Sequence, residues 1–423
     1  LAGMMTVVGV LKDTGAFEWA VGRMLSGTGG RPLLAAQVVA WFTAGMSAFL
    51  DNVTTVIFVT PMASGMARRL GLVPVALILP MVVASNIGGT ATLIGDPPNI
   101  MIGSGVHLSF VDFLTNLAAP VLVMMVALQW YVAWYYRKDF ASARPQEPIG
   151  ANEIALTDPR LFRWMMVICA GILVGFLTHA LTGMEAAIPA VVGAAAALVV
   201  QDVMYLKKNK PTAHERAHGI LRILDKDIEW PTLSFFVFLF IVVGATVQTG
   251  LIGSVANLIG WTIVTARDGL GLSDQGTILF AALLICWVSA VLSAFIDNIP
   301  YVAVSIPIIL HLAPTLPGDT SVLWWALSLG ACLGGNATVV GASANVTTVG
   351  LAEKEGVWIS FGAYSRFAAP MTALTVLIAS AFLAGYVLLG TPTIHVVAWS
   401  VAGTLLTVEV IRGRAGRLRP RNA

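Results

Sequence analysis

The chain has 423 residues, of which 57% are hydrophobic and 11% charged, where soluble domains carry about a quarter charged residues. That composition excludes a soluble globular domain and specifies a polytopic membrane protein. A formal net charge of +2 provides no basic excess for a nucleic-acid partner.

Leu1 is not an initiator residue and "LAGMMTVVGVL" reads as the middle of a helix, so a segment is expected to precede it. "LKDTGAFEWA" (11–20) sets Lys12, Asp13 and Glu18 beside an apolar stripe and reads as an interfacial helix. Charge-free apolar runs follow at 32–50, 70–95 and 113–136, near or above the roughly 20 residues that span a hydrocarbon core. A hydrophilic segment begins at Arg137, then a helical pair at 161–183 and 184–201, then a second hydrophilic segment from Leu206. Further apolar runs lie at 231–266, 276–296, 321–352 and 367–408, and Gly390, Thr391 and Pro392 divide the last in two. These runs predict ten to twelve membrane-embedded helices or half-helices. No strand-like alternation is present, and open sheets cannot face lipid, so the fold class is all-α.

Both hydrophilic segments are rich in Lys and Arg, and a pair of crossings returns the chain to one side. The positive-inside rule places them on the cytoplasmic face, with the basic tail "RGRAGRLRPRNA" on the same side. The expected location is the inner membrane of a bacterium or archaeon. Cys169, Cys286 and Cys332 each lie in an apolar segment and read as small buried hydrophobes, with no CxxC and no metal-ligand spacing.

The chain repeats itself. "SAFLDNVTTVIFVTP" (47–61) returns as "SAFIDNIPYVAVSIP" (293–307), so a shift of 246 places Asp51 on Asp297, Asn52 on Asn298 and Pro61 on Pro307. The same shift sets "SNIGGTATLIGDPPN" (85–99) on "ACLGGNATVVGASAN" (331–345). A weaker echo joins "VVGVLKDTG" (7–15) to "VVGATVQTG" (242–250). The membrane part is therefore read as a first repeat at 1–135, cytoplasmic loops and a linking pair at 136–230, a second repeat at 231–390, and a final helix with a basic tail at 391–423. The repeats are inverted if each crosses an odd number of times, an arrangement common in secondary transporters.

The repeated motifs carry the candidate site. Gly88, Gly89, Thr90, Thr92, Asp96 and Asn99 belong to the first Gly-rich segment; Gly334, Gly335, Asn336, Thr338, Ser343 and Asn345 belong to the second. Glycines and prolines so dense oppose a continuous helix. Unwound backbone at membrane depth survives inside protein or beside a water-filled cavity, where it offers carbonyls and helix ends to an ion. Tight packing between small residues is the competing explanation for a single motif. Asp51 and Asn52, with Thr54 and Thr55 after them, and Asp297 with Asn298 complete the set. A charge at the bilayer centre costs about 2.5–3.5 kcal/mol on insertion scales, so such residues mark ion or proton paths. Asp51 and Asp297 serve as coupling carboxylates for a proton or for sodium held near Asp51, Asn52, Asp297 and Asn298, or as N-caps of the next half-helix, or as both. Asp96 has no counterpart carboxylate in the second repeat, where Ala342 stands, and either touches substrate or caps a helix.

These motifs closely resemble the ion transporter superfamily, and within it the arsenical-pump and sodium/proton-antiporter permeases together with the melanosomal P protein; the divalent-anion/sodium symporters are more distant. The resemblance implies a homodimer, each protomer having a scaffold domain and a transport domain that moves as an elevator, with two re-entrant hairpins and two broken helices around the site. In the symporters the hairpin tips read Ser-Asn-Thr; here those positions are Asp51, Asn52, Val53 and Asp297, Asn298, Ile299. Acidic tips oppose a dicarboxylate anion and favour a neutral or cationic solute.

The function expected from sequence is secondary active transport of a small inorganic solute against a proton or sodium gradient, without cofactor. Arsenite or antimonite efflux comes first, sodium/proton antiport second, and dicarboxylate or other anion uptake third. An ATPase subunit is a partner that the arsenical-pump resemblance allows. An ion channel and an intramembrane protease are the readings from other classes; for the protease, Asp51 and Asp297 lack a glycine-containing catalytic motif.

Overall fold

The computed structural model describes residues 2–143, 155–209, 228 and 230–418. Among the described residues all regular structure is helical. Seven helices of the described residues are long and apolar enough to cross a membrane, or eight if one bent pair is a single span.

In chain order the helices are α1 (Ala2–Asp13), α2 (Ala16–Ser26), α3 (Pro32–Ser47), α4 (Asn52–Arg69), α5 (Val75–Gly89), α6 (Pro97–Val106), α7 (Phe110–Tyr135), α8 (Arg137–Ser142), α9 (Pro159–Thr182) and α10 (Ala187–Asn209). Then come α11 (Trp230–Gln248), α12 (Leu251–Leu270), α13 (Asp274–Ser293), α14 (Asn298–Leu312), α15 (Val322–Gly334), α16 (Ser343–Lys354), α17 (Phe361–Leu389) and α18 (Thr391–Leu418).

Several apolar runs are broken. The run at 231–266 is two helices meeting at 69°, because Gly250 sits in the left-handed region at φ 76 and ends α11. The run at 70–95 contains only the short α5, and the run at 321–352 splits between α15 and α16 around Gly335–Ala342. The last run divides at Gly390 into α17 and α18. The segment 11–20, read as one interfacial helix, is instead the end of α1, a turn and the start of α2. The Thr14 hydroxyl donates to the Leu11 carbonyl at 2.6 Å, and Gly15 takes φ 71, which stops the helix.

The chain forms two compact units. The first contains the described residues of Leu1–Gly30, Ser109–Val111 and Pro148–Phe240. Within it α1 and α9 both pack on α10. Gln201 Nε2 donates to Asp13 Oδ2 at 3.1 Å, and the Phe110 N–H donates to His179 Nε2 at 3.2 Å.

The second unit contains Arg31–Leu108, the described residues of Asp112–Glu147, and Ile241–Ala423 as far as residue 418. Here α3 packs along α5, and α13 along α15. Both pairs approach closely for the same reason: a small residue meets backbone. Gly88 lies against Ala44, and Gly334 against Ala290, the positions 246 further on. All the motif residues belong to this second unit.

Candidate ion and substrate site

The site is built from two helix junctions and two helix breaks. At the first junction α3 ends at Ser47, and Asp51 caps α4: the Thr54 N–H donates to Asp51 Oδ1 at 2.9 Å and the Thr54 hydroxyl donates to Oδ2. At the second, Asp297 caps α14: the Ile299 N–H donates to Oδ1 at 3.0 Å and the Ser343 hydroxyl donates to Oδ2. Both aspartates therefore hold helix N-termini, where the backbone dipole favours negative charge. Asn52 and Asn298, the next residues, are buried.

The breaks are held open by asparagine side chains. Asn99, in the first turn of α6, donates through Nδ2 to the carbonyls of Thr90 at 3.1 Å and Thr92 at 2.9 Å. Asn345, at the start of α16, donates to the carbonyls of Gly335 and Thr338, both at 2.8 Å. These bonds replace the helical partners lost where α5 and α15 stop. The Thr92 hydroxyl donates to the Ala48 carbonyl, and the Thr338 hydroxyl donates to the Ala294 carbonyl. Both ends of that bond recur 246 positions on.

Side chains then tie the two motif segments together. Asn86 Oδ1 accepts from Asn52 Nδ2 at 3.0 Å, and Asn86 Nδ2 donates to Asn336 Oδ1 and Asn345 Oδ1, both at 2.9 Å. In the other direction Asn99 Oδ1 accepts from the Ser328 hydroxyl at 2.6 Å, with the Cys332 thiol 3.7 Å away. Asn298 Nδ2 reaches Asp96 Oδ2 at 3.5 Å.

Asp96 is the exception in this network. It occupies the N-cap position of α6, yet its side chain makes no capping bond. Among the described residues it is the only fully buried Asp, Glu, Lys or Arg, with 0% exposure. Its Oδ1 has no hydrogen-bond partner. The geometry thus separates the two roles that sequence left open for Asp96: it does not cap.

The structure gathers these residues into two buried polar clusters, Asn52, Asn336 and Asn345 about Asn86, and Asn99, Asn298 and Asp96 about Cys332 and Ser328, with Asp51, Asp297 and Ser343 at the junctions. Thr90 and Thr92 enter through their carbonyls; the Thr90 hydroxyl donates to the Asn86 carbonyl at 2.8 Å. Thr54 serves the cap, and the buried Thr55 hydroxyl has no partner. Gly88, Gly89 and Gly334 supply close backbone approach, while Gly335 also gives its carbonyl to Asn345. Sequence reasoning missed Asn86, Ser328 and Cys332. Asn86 lies inside the quoted motif, and its signal was an amide placed in an otherwise apolar helix. Among the described residues no group of three His, Cys, Asp or Glu side chains gathers.

Removing the Asn86 amide tests the network. Asn86→Ala leaves Asn52, Asn336 and Asn345 short of partners in a buried place, at about 1–3 kcal/mol for each unsatisfied group. The expected result is a clear fall in thermal stability in detergent, larger than that of Ser85→Ala, whose hydroxyl makes only long contacts to Ser47 and Asn52 at 3.2 and 3.3 Å.

Residues 1–330 match the sequence profile of the CitMHS family, described as citrate transporter. The chain belongs to the CitMHS family. It is accordingly an integral membrane transporter. CitMHS relatives include an uncharacterized transporter of Mycobacterium tuberculosis, 36% identical over 391 residues, covering 90% of this chain and 84% of the relative. A 46 kDa membrane protein of Mycobacterium leprae is 35% identical over 392 residues with the same coverage. The P protein of Sus scrofa is 28% identical over 459 residues, covering 90% of this chain and 52% of that protein. The likeness to P protein read from the motifs is thus present across most of the chain. In fold, this CitMHS chain is similar to the crystal structure of the YdaH transporter of Alcanivorax borkumensis, with a TM-score of 0.62, 13% identity, and 91% and 84% coverage of the two chains.

Proposed function

We propose that this CitMHS chain is a secondary active transporter whose coupling cation, a proton or a sodium ion, is taken up at Asp96. The observation that carries this reading is a fully buried carboxylate, single among the described residues, with one oxygen unpartnered, at the meeting of the two motif segments. A negative charge so placed is costly until a cation neutralises it. Occupancy by a cation therefore changes the relative energies of conformations that bury or open this region, which is what gradient coupling requires. Sodium near Asp51, Asn52, Asp297 and Asn298 is the neighbouring arrangement, with the two aspartates also holding the junctions.

The bonds that recur at a spacing of 246 residues support two repeats of one unit. The superfamily resemblance adds re-entrant hairpins at the two junctions, an elevator movement and a homodimer.

For the substrate, the absence of a buried lysine or arginine among the described residues is the guide. A free polyanion would meet acidic groups with no opposite charge to receive it. That favours a solute uncharged at neutral pH, and arsenite or antimonite efflux is the first reading. The three cysteines do not gather, so arsenite would be bound through hydroxyl and amide hydrogen bonds. The family description favours a second reading, citrate, with its charge balanced by cations that travel with it.

Purified protein in proteoliposomes, with an imposed pH or sodium gradient, tests both. Saturable arsenite movement driven by one gradient and lost with an ionophore supports the first reading. Driven citrate uptake with arsenite inert moves the assignment to the second. If neither solute responds to either gradient, the proposal of cation-coupled transport fails.

A further inference from the structure

The two polar clusters are built from corresponding positions, yet they are not equivalent. At the spacing of 246, Asn52 corresponds to Asn298, Asn86 to Cys332, Thr90 to Asn336, Asn99 to Asn345 and Asp96 to Ala342. One cluster holds Asn52, Asn86, Asn336 and Asn345. The other holds Asn298, Cys332, Asn99 and Asp96, with Ser328 beside them.

In the first cluster Asn86 is fully engaged. Its oxygen accepts from Asn52, and its nitrogen donates to the amide oxygens of Asn336 and Asn345. Ala342 replaces the aspartate there, and the carboxylates adjoining these residues, Asp51 before Asn52 and Asp297 on the Ser343 hydroxyl, are engaged as helix caps. The Asn336 Nδ2 group is buried without a partner, a donor facing inward. A cation entering this cluster would meet N–H groups and would have to break three amide contacts, with no unengaged carboxylate to compensate.

The second cluster has the opposite character. Cys332 stands where Asn86 stands in the first, and its thiol, lying among Asp96, Thr90, Ser328 and Asn99, is one weak donor in place of the two strong N–H donors of an amide. Asn298 therefore has no amide opposite it and turns to Asp96 Oδ2 at 3.5 Å, while Asp96 Oδ1 is buried and unpartnered. Ser328 supplies a hydroxyl oxygen and Asn99 an amide oxygen within the same cluster, joined at 2.6 Å. Asp51 and Asp297 also act electrostatically on Asp96, but their oxygens are engaged at the helix junctions, so Asp96 is the carboxylate left with an open oxygen for a monovalent cation.

We infer that the chain has a single coupling-cation site, at Asp96, and that the Asn86 amide permanently occupies the corresponding place in the other cluster. In the first cluster the Asn86 NH2 presents partial positive charge to the oxygens of Asn336 and Asn345, as a bound cation would. The two halves, alike in sequence, thereby divide the work. One cluster is a fixed structural joint and the other is an exchangeable site. One monovalent cation is consumed per chain in each transport cycle, although the repeated Asp-Asn motifs resemble a pair of sites. This inference rests on the cation-coupled reading above.

The test counts cations. Purified protein is titrated with radioactive sodium at alkaline pH, and in parallel the proton dependence of gradient-driven arsenite and citrate flux is measured in proteoliposomes. Support is one saturable sodium equivalent per chain, abolished in Asp96→Asn. If no sodium binds, support is a proton dependence without cooperativity, abolished in the same variant. Two sodium equivalents, a cooperative proton dependence, or an Asp96→Asn variant that keeps its cation response overturns the single site while leaving cation coupling intact. No sodium binding together with no gradient-driven flux overturns both the site and the coupling. The count on unaltered protein decides the matter even where the variant is poorly produced.

Discussion

Asp96→Asn should uncouple transport from the cation gradient while the protein remains folded. The substitution keeps the size and shape of the side chain and keeps an oxygen for Asn298 Nδ2, now at 3.5 Å from Asp96 Oδ2. It removes the formal charge that calls for a proton or a sodium ion. An uncoupled carrier only equilibrates its solute, so accumulation should fall from the level set by the imposed cation gradient to none. Exchange of solute at equal concentrations on both sides, which needs no gradient, should continue. Thermal stability should hold or rise, because a buried charge without a full set of partners is replaced by a neutral group. That last readout separates uncoupling from misfolding. Asp51→Asn and Asp297→Asn give the contrast. Asparagine is about as good an N-cap as aspartate, so the junctions should survive both substitutions. If coupling instead resides at the junctions, those two variants lose gradient-driven transport and Asp96→Asn keeps it. The three measurements together assign the coupling carboxylate.

How much of this was visible in the residues depends on the distance over which each feature acts. The N-cap roles of Asp51 and Asp297 act over three residues or fewer in α4 and α14, apart from the bond to Ser343, and the capping rule anticipates them. The breaks after α5 and α15 were legible for the same reason, since glycine, proline and short polar residues are dense there. The run from 231 to 266, about 54 Å as a helix, is too long for one crossing of a ~30 Å core, but its charge-free residues left the position of the break at Gly250 unmarked. Asn86 was missed for a different reason. Its partners Asn336 and Asn345 lie about 250 positions away, and only the packed fold brings them within 2.9 Å. Asp96 was conspicuous as the place where the repeat fails. Whether it caps, binds or does neither depends on burial and on an orphaned oxygen, and neither can be read from a string of letters.

Gly88→Ala and Gly334→Ala should each destabilise the protein strongly, and by a similar amount. A Cβ on Gly88 would stand 2.2 Å from the Ala44 carbonyl oxygen and 2.5 Å from the Ala44 Cα. A Cβ on Gly334 would stand 2.4 Å from both the Ala290 Cα and its carbonyl oxygen. These are backbone atoms, so no side chain can rotate away, and α3 must move off α5, or α13 off α15. Overpacking of this kind costs about 1–3 kcal/mol and occasionally more, and the rigid neighbours place these two at the upper end. The damage extends to the site, since the Thr92 bond to Ala48 and the Thr338 bond to Ala294 cross the same two interfaces. Gly45→Ala in α3 and Gly65→Ala in α4 are the controls, because nothing lies within 4 Å of a Cβ at either place. Alanine there should be neutral or should stabilise by up to about 1 kcal/mol, the gain from replacing glycine in a helix. Unfolding temperatures of the four variants in detergent provide the comparison. If all four behave alike, the close approach at Gly88 and Gly334 does not hold the two helix pairs together. If only Gly88→Ala and Gly334→Ala fall, and fall together, the paired glycines are what allow both broken helices to seat against their junctions.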